Sequence, residues 1–296
     1  MHLPVMLEEA IQLLNCRAGG TYIDCTLGEG GHSQDIMKKI GNEGTLIAID
    51  QDADVIIRAK EKLATYSGRI KYFNSNFVRL REILDELEIS RVDGIIFDLG
   101  LSTFQLSDSS RGFSFMSDGP LDMRMSSQID ETAMSYINKL DEESLANAIF
   151  KYGEERWSRR IARAIVRERE RAEIKTTFAL AGIVRRAIPG KRGRLHPATR
   201  TFQALRILVN NEIEAIEKTM PTAINSLNDG GRICVISFHS LEDRVIKNAF
   251  KDFSRRGEQP FFRILTRKPA TPSIEEVRNN PRSRSAKMRA GEVFYG

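Results

Sequence analysis

Thr21-Tyr-Ile-Asp-Cys-Thr-Leu-Gly-Glu-Gly-Gly-His-Ser33 is the stretch from which the fold can be read. Its first half is β-rich at Tyr22, Ile23 and Cys25, its second holds Gly28, Gly30 and Gly31, and a helical pattern opens at Ser33. Strand, glycine loop and helix start thus follow one another directly. Glycine serves where backbone takes positive φ or comes closer to a ligand than a Cβ permits. The loop is read as the seat of a nucleoside-containing cofactor. Its plainer alternative is a cluster of turn glycines, which the glycines alone favour equally well.

A dinucleotide fingerprint, G-x-G-x-x-G, begun at Gly28 would place its third glycine at position 33, where this chain has Ser33. That weighs against a nicotinamide dehydrogenase. The next β-like run, 45–49, ends in Asp50, about twenty residues past the loop, where a carboxylate can accept hydrogen bonds from both ribose hydroxyls of an adenosine.

Outward from the loop, 4–14 reads as a helix with Leu7, Ala10, Ile11 and Leu14 on one stripe. The spacing predicts helix over 33–40, strand over 45–50, helix over 52–64, strand over 70–74, helix over 78–87 and strand over 92–98. Such alternation predicts a doubly wound α/β fold, a mostly parallel Rossmann-like sheet. The last strand runs into Asp98-Leu-Gly-Leu-Ser102, so Asp50 and Asp98 share the carboxyl-end rim with the glycine loop.

After Ser102 the alternation stops. Residues 104–127 form a long irregular segment with Gly112, Gly119 and Pro120, and long ordered loops tend to be functional. From 130 to 189 four helices are expected, over 132–140, 141–151, 154–171 and 177–187. The predicted organisation is 1–102 and 196–296 as one sheet domain and 103–195 as an inserted loop and all-helical domain. A long helix over 196–217, a following helix ending near Leu227, a turn at Asp229-Gly-Gly, a strand over 232–238, a Ser240/Asp243 capping pair and closing strands over 261–266 and 286–294 complete the expectation.

Charge is nearly balanced, 45 basic against 40 acidic residues, but basic side chains crowd into 156–194 and 278–289. Arg156, Arg160, Arg163 and Arg167 fall on one helical face, and Arg194 extends the patch through a basic loop. Flanking glutamates offset little of this, since an i,i+4 pair contributes only about 0.2 to 0.5 kcal/mol. Phosphates of a nucleic acid are the expected partners, ahead of a merely solvated face. No apolar run approaches the ~20 residues of a membrane span and no signal-peptide layout opens the chain, so a cytoplasmic protein is expected. Cys16, Cys25 and Cys234 lack metal spacing and read as reduced, buried thiols; the four histidines form no zinc pattern, and no metal is expected. Neither a G-x-S-x-G elbow nor a P-loop is present. S-adenosylmethionine fits the glycine loop, Asp50 and Asp98 better than a phosphate-rich cofactor does.

At longer range, His2-Leu-Pro-Val-Met-Leu-Glu-Glu9, Asp24-Cys-Thr-Leu-Gly-Glu-Gly-Gly-His32, Phe97-Asp-Leu-Gly-Leu-Ser102, Arg111-Gly-Phe-Ser-Phe115, Leu121-Asp-Met-Arg124, His196-Pro-Ala-Thr-Arg-Thr-Phe-Gln-Ala-Leu-Arg206, Ser237-Phe-His-Ser-Leu-Glu-Asp-Arg244 and Pro281-Arg-Ser-Arg-Ser-Ala-Lys287 closely resemble the RsmH family, also called MraW. The resemblance implies an S-adenosylmethionine-dependent methyltransferase acting on N4 of a specific cytidine in the decoding region of 16S ribosomal RNA, within the small ribosomal subunit, and leaves a homodimer open. It carries the family's cofactor residues onto Gly30, Gly31, His32, Asp50, Phe77, Asp98 and Gln105.

The residues themselves suggest how such a reaction would run. An acceptor bonded to the cytosine amine would favour its attacking form. Asp98 and Ser102 are the first candidates, with Asp122, Asn210 and His239 weaker. Amino methyltransferases of the Asn/Asp-Pro-Pro-Tyr type stack the base on that motif, but this chain has Leu99, Gly100 and Leu101 there, so Phe104 or Phe115 is expected to stack it instead. No cysteine lies on the rim loop just after the fourth strand or in the insertion, which argues against ring-carbon methylation. A non-catalytic RNA-binding factor using the same arginines is the competing class.

Overall fold

A computed structural model describes residues 4–189, 196–257 and 261–296. It divides into two compact units, residues 1–101 with 213–296, and residues 102–212.

The first unit is built on a seven-stranded sheet in the order β3-β2-β1-β4-β5-β7-β6. The strands are β1 (Thr21–Asp24), β2 (Thr45–Asp50), β3 (Ile70–Asn74), β4 (Val92–Asp98), β5 (Leu227–Ser237), β6 (Phe261–Ile264) and β7 (Lys287–Phe294). All neighbours from β3 to β5 are parallel, whereas β7 runs antiparallel to both β5 and β6. Helix α1 (Leu7–Leu14) precedes β1, and α2 (Gly31–Ile40), α3 (Ala53–Lys62) and α4 (Leu80–Glu86) connect the early strands. Alternate residues of each strand feed opposite cores. Ile23, Ile47, Ile49, Ile95, Phe97 and Val235 pack on one face with Leu80 and Ile83 of α4, and Tyr22, Leu46, Ala48, Ile96 and Cys234 pack on the other with Ala10, Ile36 and Ile56 of α1, α2 and α3. A sheet buried on both faces needs such runs without polar alternation, and burying each large aliphatic contributes about 1.5 to 3 kcal/mol. The doubly wound Rossmann-like methyltransferase sheet expected from the sequence is therefore present. The chain steps outward from β1 to β2 and β3 and then crosses back to β4 on the other side of β1, so the winding reverses between β1 and β4, and the crevice beyond the carboxyl ends of those strands is where such sheets bind ligands.

The second unit contains α5 (Thr103–Ser107), α6 (Ala133–Lys139), α7 (Glu142–Gly153), α8 (Ser158–Arg169), α9 (Thr177–Ala187) and α10 (Thr199–Asn210). Side-chain oxygens of Thr132, Asp141 and Thr176 accept the first free N–H groups of α6, α7 and α9 and so fix where each begins. The long helix expected over 196–217 ends early, and the helix expected to follow it already begins at Glu212. Asn211 stops α10 in the left-handed region at φ 50°, a conformation asparagine tolerates, and α11 (Glu212–Asn225) starts behind it. Because α10 packs against α6 and α7, it belongs with the helical unit rather than with the sheet domain assigned to it from 196 onward.

Two more local expectations change. Asp229-Gly-Gly does not break the chain into a turn; β5 absorbs it, with a register irregularity opposite Val92 and Gly94. The cap of α12 (Ser240–Arg255) is His239 with Glu242, one residue ahead of the Ser240/Asp243 pair: His239 Nδ1 accepts the Glu242 N–H at 3.3 Å, and Glu242 Oε2 accepts the His239 N–H at 3.2 Å. A last short helix, α13 (Ile274–Asn279), precedes β7. Among the described residues no helix is long and apolar enough to cross a membrane.

Candidate active site

Three carboxylates stand at the carboxyl ends of adjacent parallel strands: Asp24 on β1, Asp50 on β2 and Asp98 on β4. The glycine loop runs between them. Its backbone prolongs the sheet ladder, Cys25 N–H donating to Ile96 O and Leu27 N–H to Ile49 O, both at 2.9 Å. Gly28 and Gly30 take φ of +52° and +73°, so the chain reverses where an L side chain would be strained. Gly31 has a different cause: a Cβ there would lie 2.2 Å from Pro4 Cγ, so it makes room for the N-terminal segment rather than for a ligand.

Asp50 is tied into this loop. Its Oδ2 accepts the Gly28 N–H at 2.9 Å and its Oδ1 the Asp52 N–H at 3.0 Å. Burial pushes its carboxyl up to about 6, against the pull of those two N–H groups. Asp24 was quoted in the sequence motif but given no role. It is 2% exposed, accepts from Thr26 N–H at 3.1 Å and Ser33 Oγ–H at 2.7 Å, and is likewise raised to about 6 by burial. Ser33, the residue that spoiled a dinucleotide fingerprint, thus anchors a strand-end acid. A third strand-end acid at the position equivalent to Asp50 and Asp98 was the available signal.

Asp98 is the least satisfied of the three. Its backbone N–H donates to Thr26 Oγ1 at 2.5 Å, and its Oδ2 lies 3.6 Å from His32 Nδ1. Its Oδ1 is buried and has no hydrogen-bond partner among the described residues. Burial, helped by the nearby charges of Asp24 and Glu242, holds this carboxyl well above the usual carboxylate range. His32, 5% exposed, also reaches Val5 O through Nε2 at 3.0 Å, which ties the N-terminal segment to the β4 end. Phe77 lies just past β3, half-buried, its ring edge-on to Phe97 at 5.5 Å between centroids.

Such an arrangement suits a cationic, ribose-bearing guest. A buried carboxylate oxygen without a partner is costly unless a donor or positive charge meets it, and Asp50 keeps lone pairs for further donors beyond its two N–H groups.

The helical unit places the other candidates. Ser102 and Gln105 form a reciprocal capping box on α5, Gln105 N–H to Ser102 Oγ at 3.2 Å and Ser102 N–H to Gln105 Oε1 at 3.0 Å. Asp122 is held by Arg124 through two bonds, Nε to Oδ1 at 2.9 Å and Nη2 to Oδ2 at 2.8 Å; burial raises its carboxyl, but this pairing outweighs it and leaves it below the usual range. Asn210 is spent on structure, with Oδ1 accepting the Met125 N–H at 2.7 Å and Nδ2 donating to Met123 O and Arg206 O, both at 2.8 Å. Both side chains are thus already engaged within their own unit, Asp122 by Arg124 and Asn210 by backbone groups. Phe115 stacks on the exposed ring of His196 at 4.6 Å and meets Phe202 edge-on at 4.9 Å.

Of the four arginines expected on one helical face, Arg160, Arg163 and Arg167 lie on α8 and are exposed. Arg156 does not share that helix: it sits in the turn before it, over the Trp157 ring at 5.1 Å. Arg194 lies outside the described residues. In the second basic stretch Arg289 turns inward, 7% exposed, and binds Asp243 Oδ1 at 2.6 Å, while Lys287 approaches Oδ2 at 3.4 Å.

A doubly wound sheet with a cofactor-type glycine loop and strand-end carboxylates on one rim defines a Rossmann-like methyltransferase. The chain belongs to the MraW methylase family, whose pattern it matches over residues 1–293. It is 47% identical over 305 residues to a protein of Syntrophobacter fumaroxidans named Ribosomal RNA small subunit methyltransferase H, covering 98% of this chain and 96% of that one. A Clostridium botulinum protein of the same name is 48% identical over 301 residues, covering 97% of each. Among solved structures, a putative rRNA-methylase from Clostridium thermocellum aligns over 99% of this chain and 100% of its own with 12% identity and a TM-score of 0.48, a likeness too loose to bear on function.

Proposed function

We propose that this chain methylates N4 of a cytidine in the decoding region of 16S ribosomal RNA, with S-adenosylmethionine as methyl donor and the assembled small subunit as substrate. One observation carries the reading: Asp98 Oδ1, buried and unpartnered beside the glycine loop, in a chain nearly half identical along its length to small-subunit rRNA methyltransferases. Bound at this rim, the donor supplies a methyl group made electrophilic by its sulfonium. The chain's own residues do the rest. Backbone at Gly30 and Gly31 and the buried His32 shape the loop, Asp50 accepts from ribose hydroxyls, and Phe77 offers an apolar wall. Asp98 faces positive charge and, with Ser102, is the group proposed to accept from the substrate amine. Attack by N4 forms the N–C bond as the donor's S–CH3 bond breaks, and the amine then gives up one proton to an acceptor or to water. The main task is alignment, and positioning alone can supply about 7 to 11 kcal/mol of the barrier.

The thiols support a nitrogen target. Ring-carbon methylation needs an accessible thiolate, whereas burial pushes Cys16 up to about 12 and raises Cys25 well above its ordinary value. Asp122 and Asn210, already bonded within their own unit, leave Asp98 and Ser102 as the acceptors to test.

The test is transfer of labelled methyl to unmodified small subunits, to their naked RNA and to DNA, followed by nucleoside mass spectrometry. N4-methylcytidine formed on subunits is the expected product. Label on a ring carbon, or none on any substrate, overturns the proposal.

A further inference from the structure

A groove of about 460 Å³ runs between α8 and α9 in the helical unit, and its walls carry Arg159, Arg160, Arg163 and Arg167 from the first helix and Arg186 from the second. All five guanidinium side chains are exposed. Only Arg163 has a carboxylate partner, Glu142 Oε1 at 3.3 Å; Glu168, the one acid on the groove, lies 3.4 Å from Arg171 instead. Four of the five cations therefore stand without an ion pair among the described residues. The floor is Ala164, Ile183 and Ala187, which offers no aromatic face.

We propose that this groove is an anchor for the sugar–phosphate backbone of RNA that reads charge and not sequence, an inference that rests on the ribosomal RNA reading of the active site. Like charges converge in one concavity only at a cost in repulsion, which phosphates relieve by neutralising them and releasing condensed counterions. From Arg160 to Arg167 the helix rises about 10 Å at ~1.5 Å per residue, so the arginines are strung along the groove rather than gathered at one point. Guanidinium forks grip phosphates in pairs of hydrogen bonds. Bases, by contrast, find nothing to stack on and no amide or carboxylate pattern to pair with, so the anchor sets register without selecting the nucleotide. Arg159 and Arg186 join the recognition surface on this reading, and Arg156, occupied by Trp157, does not.

The experiment measures binding of two fluorescent RNA hairpins of unrelated sequence to the full chain across a salt series. The chains compared are wild type, the triple variant Arg160→Gln/Arg167→Gln/Arg186→Gln, its lysine counterpart, and Lys218→Gln as a surface control. The glutamine triple should weaken both hairpins by the same factor, roughly 30-fold near 0.1 M salt, and make the log–log salt slope shallower by about 2, since each lost phosphate contact removes about 0.7 to 0.9. Lysines should restore most of the slope, and S-adenosylmethionine affinity should not move. Unchanged affinity and slope, or loss on one hairpin only, overturns the anchor. Methyl transfer by the wild type on the same preparation separates the two claims. Groove-dependent binding without any methylated product removes the catalytic reading and keeps the anchor, whereas product formation with groove variants that bind like wild type removes the anchor alone.

Discussion

The rim of the sheet and the face of α8 handle charge in opposite ways. At the rim three carboxylates are sunk among strand ends, each pushed above its ordinary range by burial, and Asp98 Oδ1 has no hydrogen-bond partner among the described residues. On α8 and α9 the charges are arginines, numerous, exposed and mostly without ion pairs. A buried charge acts strongly at short range and is costly to hold, so few can be kept and each must be placed by the sheet. An exposed charge contributes little singly and is screened by salt, so recognition by this means needs many. The chemistry and the anchoring proposed for this chain thus fall to different physical regimes.

The strongest way to break the contrast is Asp98→Asn. It keeps the shape and removes the charge, and methyl transfer should fall about 100- to 1,000-fold, the scale of losing one preorganised electrostatic partner. Stability should fall little, because Oδ1 has no hydrogen-bond partner among the described residues and Oδ2 only lies 3.6 Å from His32 Nδ1. Single-turnover rates with a thermal melt check both halves; a large loss of stability would mean that Asp98 is structural. Asp50→Ala should behave differently, since Gly28 and Asp52 N–H lose their acceptor. Donor affinity by calorimetry should weaken about 10- to 100-fold and the fold should lose about 1 to 3 kcal/mol.

Acidity sharpens the comparison further. Asp24 and Asp50 take up a proton near 6 when folded, against about 4 for an unfolded aspartate, so between those values the folded state holds more protons. Stability of the unliganded protein should therefore fall as pH rises from about 4 to about 6, and its melting temperature should be higher at pH 5 than at pH 7. Donor binding should run the other way, because ribose contacts need Asp50 as the acceptor: affinity should drop as pH falls through 6, by up to tenfold per unit. RNA binding to arginines, which do not titrate here, should show neither slope.

How much of this was legible in the sequence follows the same division. Strand ends were plain, because Asp50 and Asp98 close apolar runs and the connection lengths force a parallel sheet. Asp24 closes such a run too, yet its partner Ser33 looked only like a missing glycine until the helix start brought the two within 2.7 Å. The Ser102-Thr-Phe-Gln105 capping box was written locally as S-x-x-Q. Asn210 could not be read that way: its bonds reach Met123 and Met125, more than eighty residues back, and nothing in a local window distinguishes a pin from a substrate acceptor. The basic crowding at 278–289 misled for a related reason, since composition counts Arg289 without knowing that β7 turns it toward Asp243.

The smallest effect tests the exposed regime at its own scale. Arg163 is the one groove arginine with a carboxylate beside it, and both Arg163 and Glu142 are largely solvent-exposed, so their pairing can contribute only a few tenths of a kcal/mol. Glu142→Gln leaves the helix N-cap at Asp141 intact and releases Arg163 to phosphate. Hairpin binding should tighten about twofold at low salt and the gain should vanish near 0.5 M salt, as screened interactions do. A gain that survives high salt would mean that the groove holds its charges in a low-dielectric setting like the rim, and the division between the two regions would no longer stand.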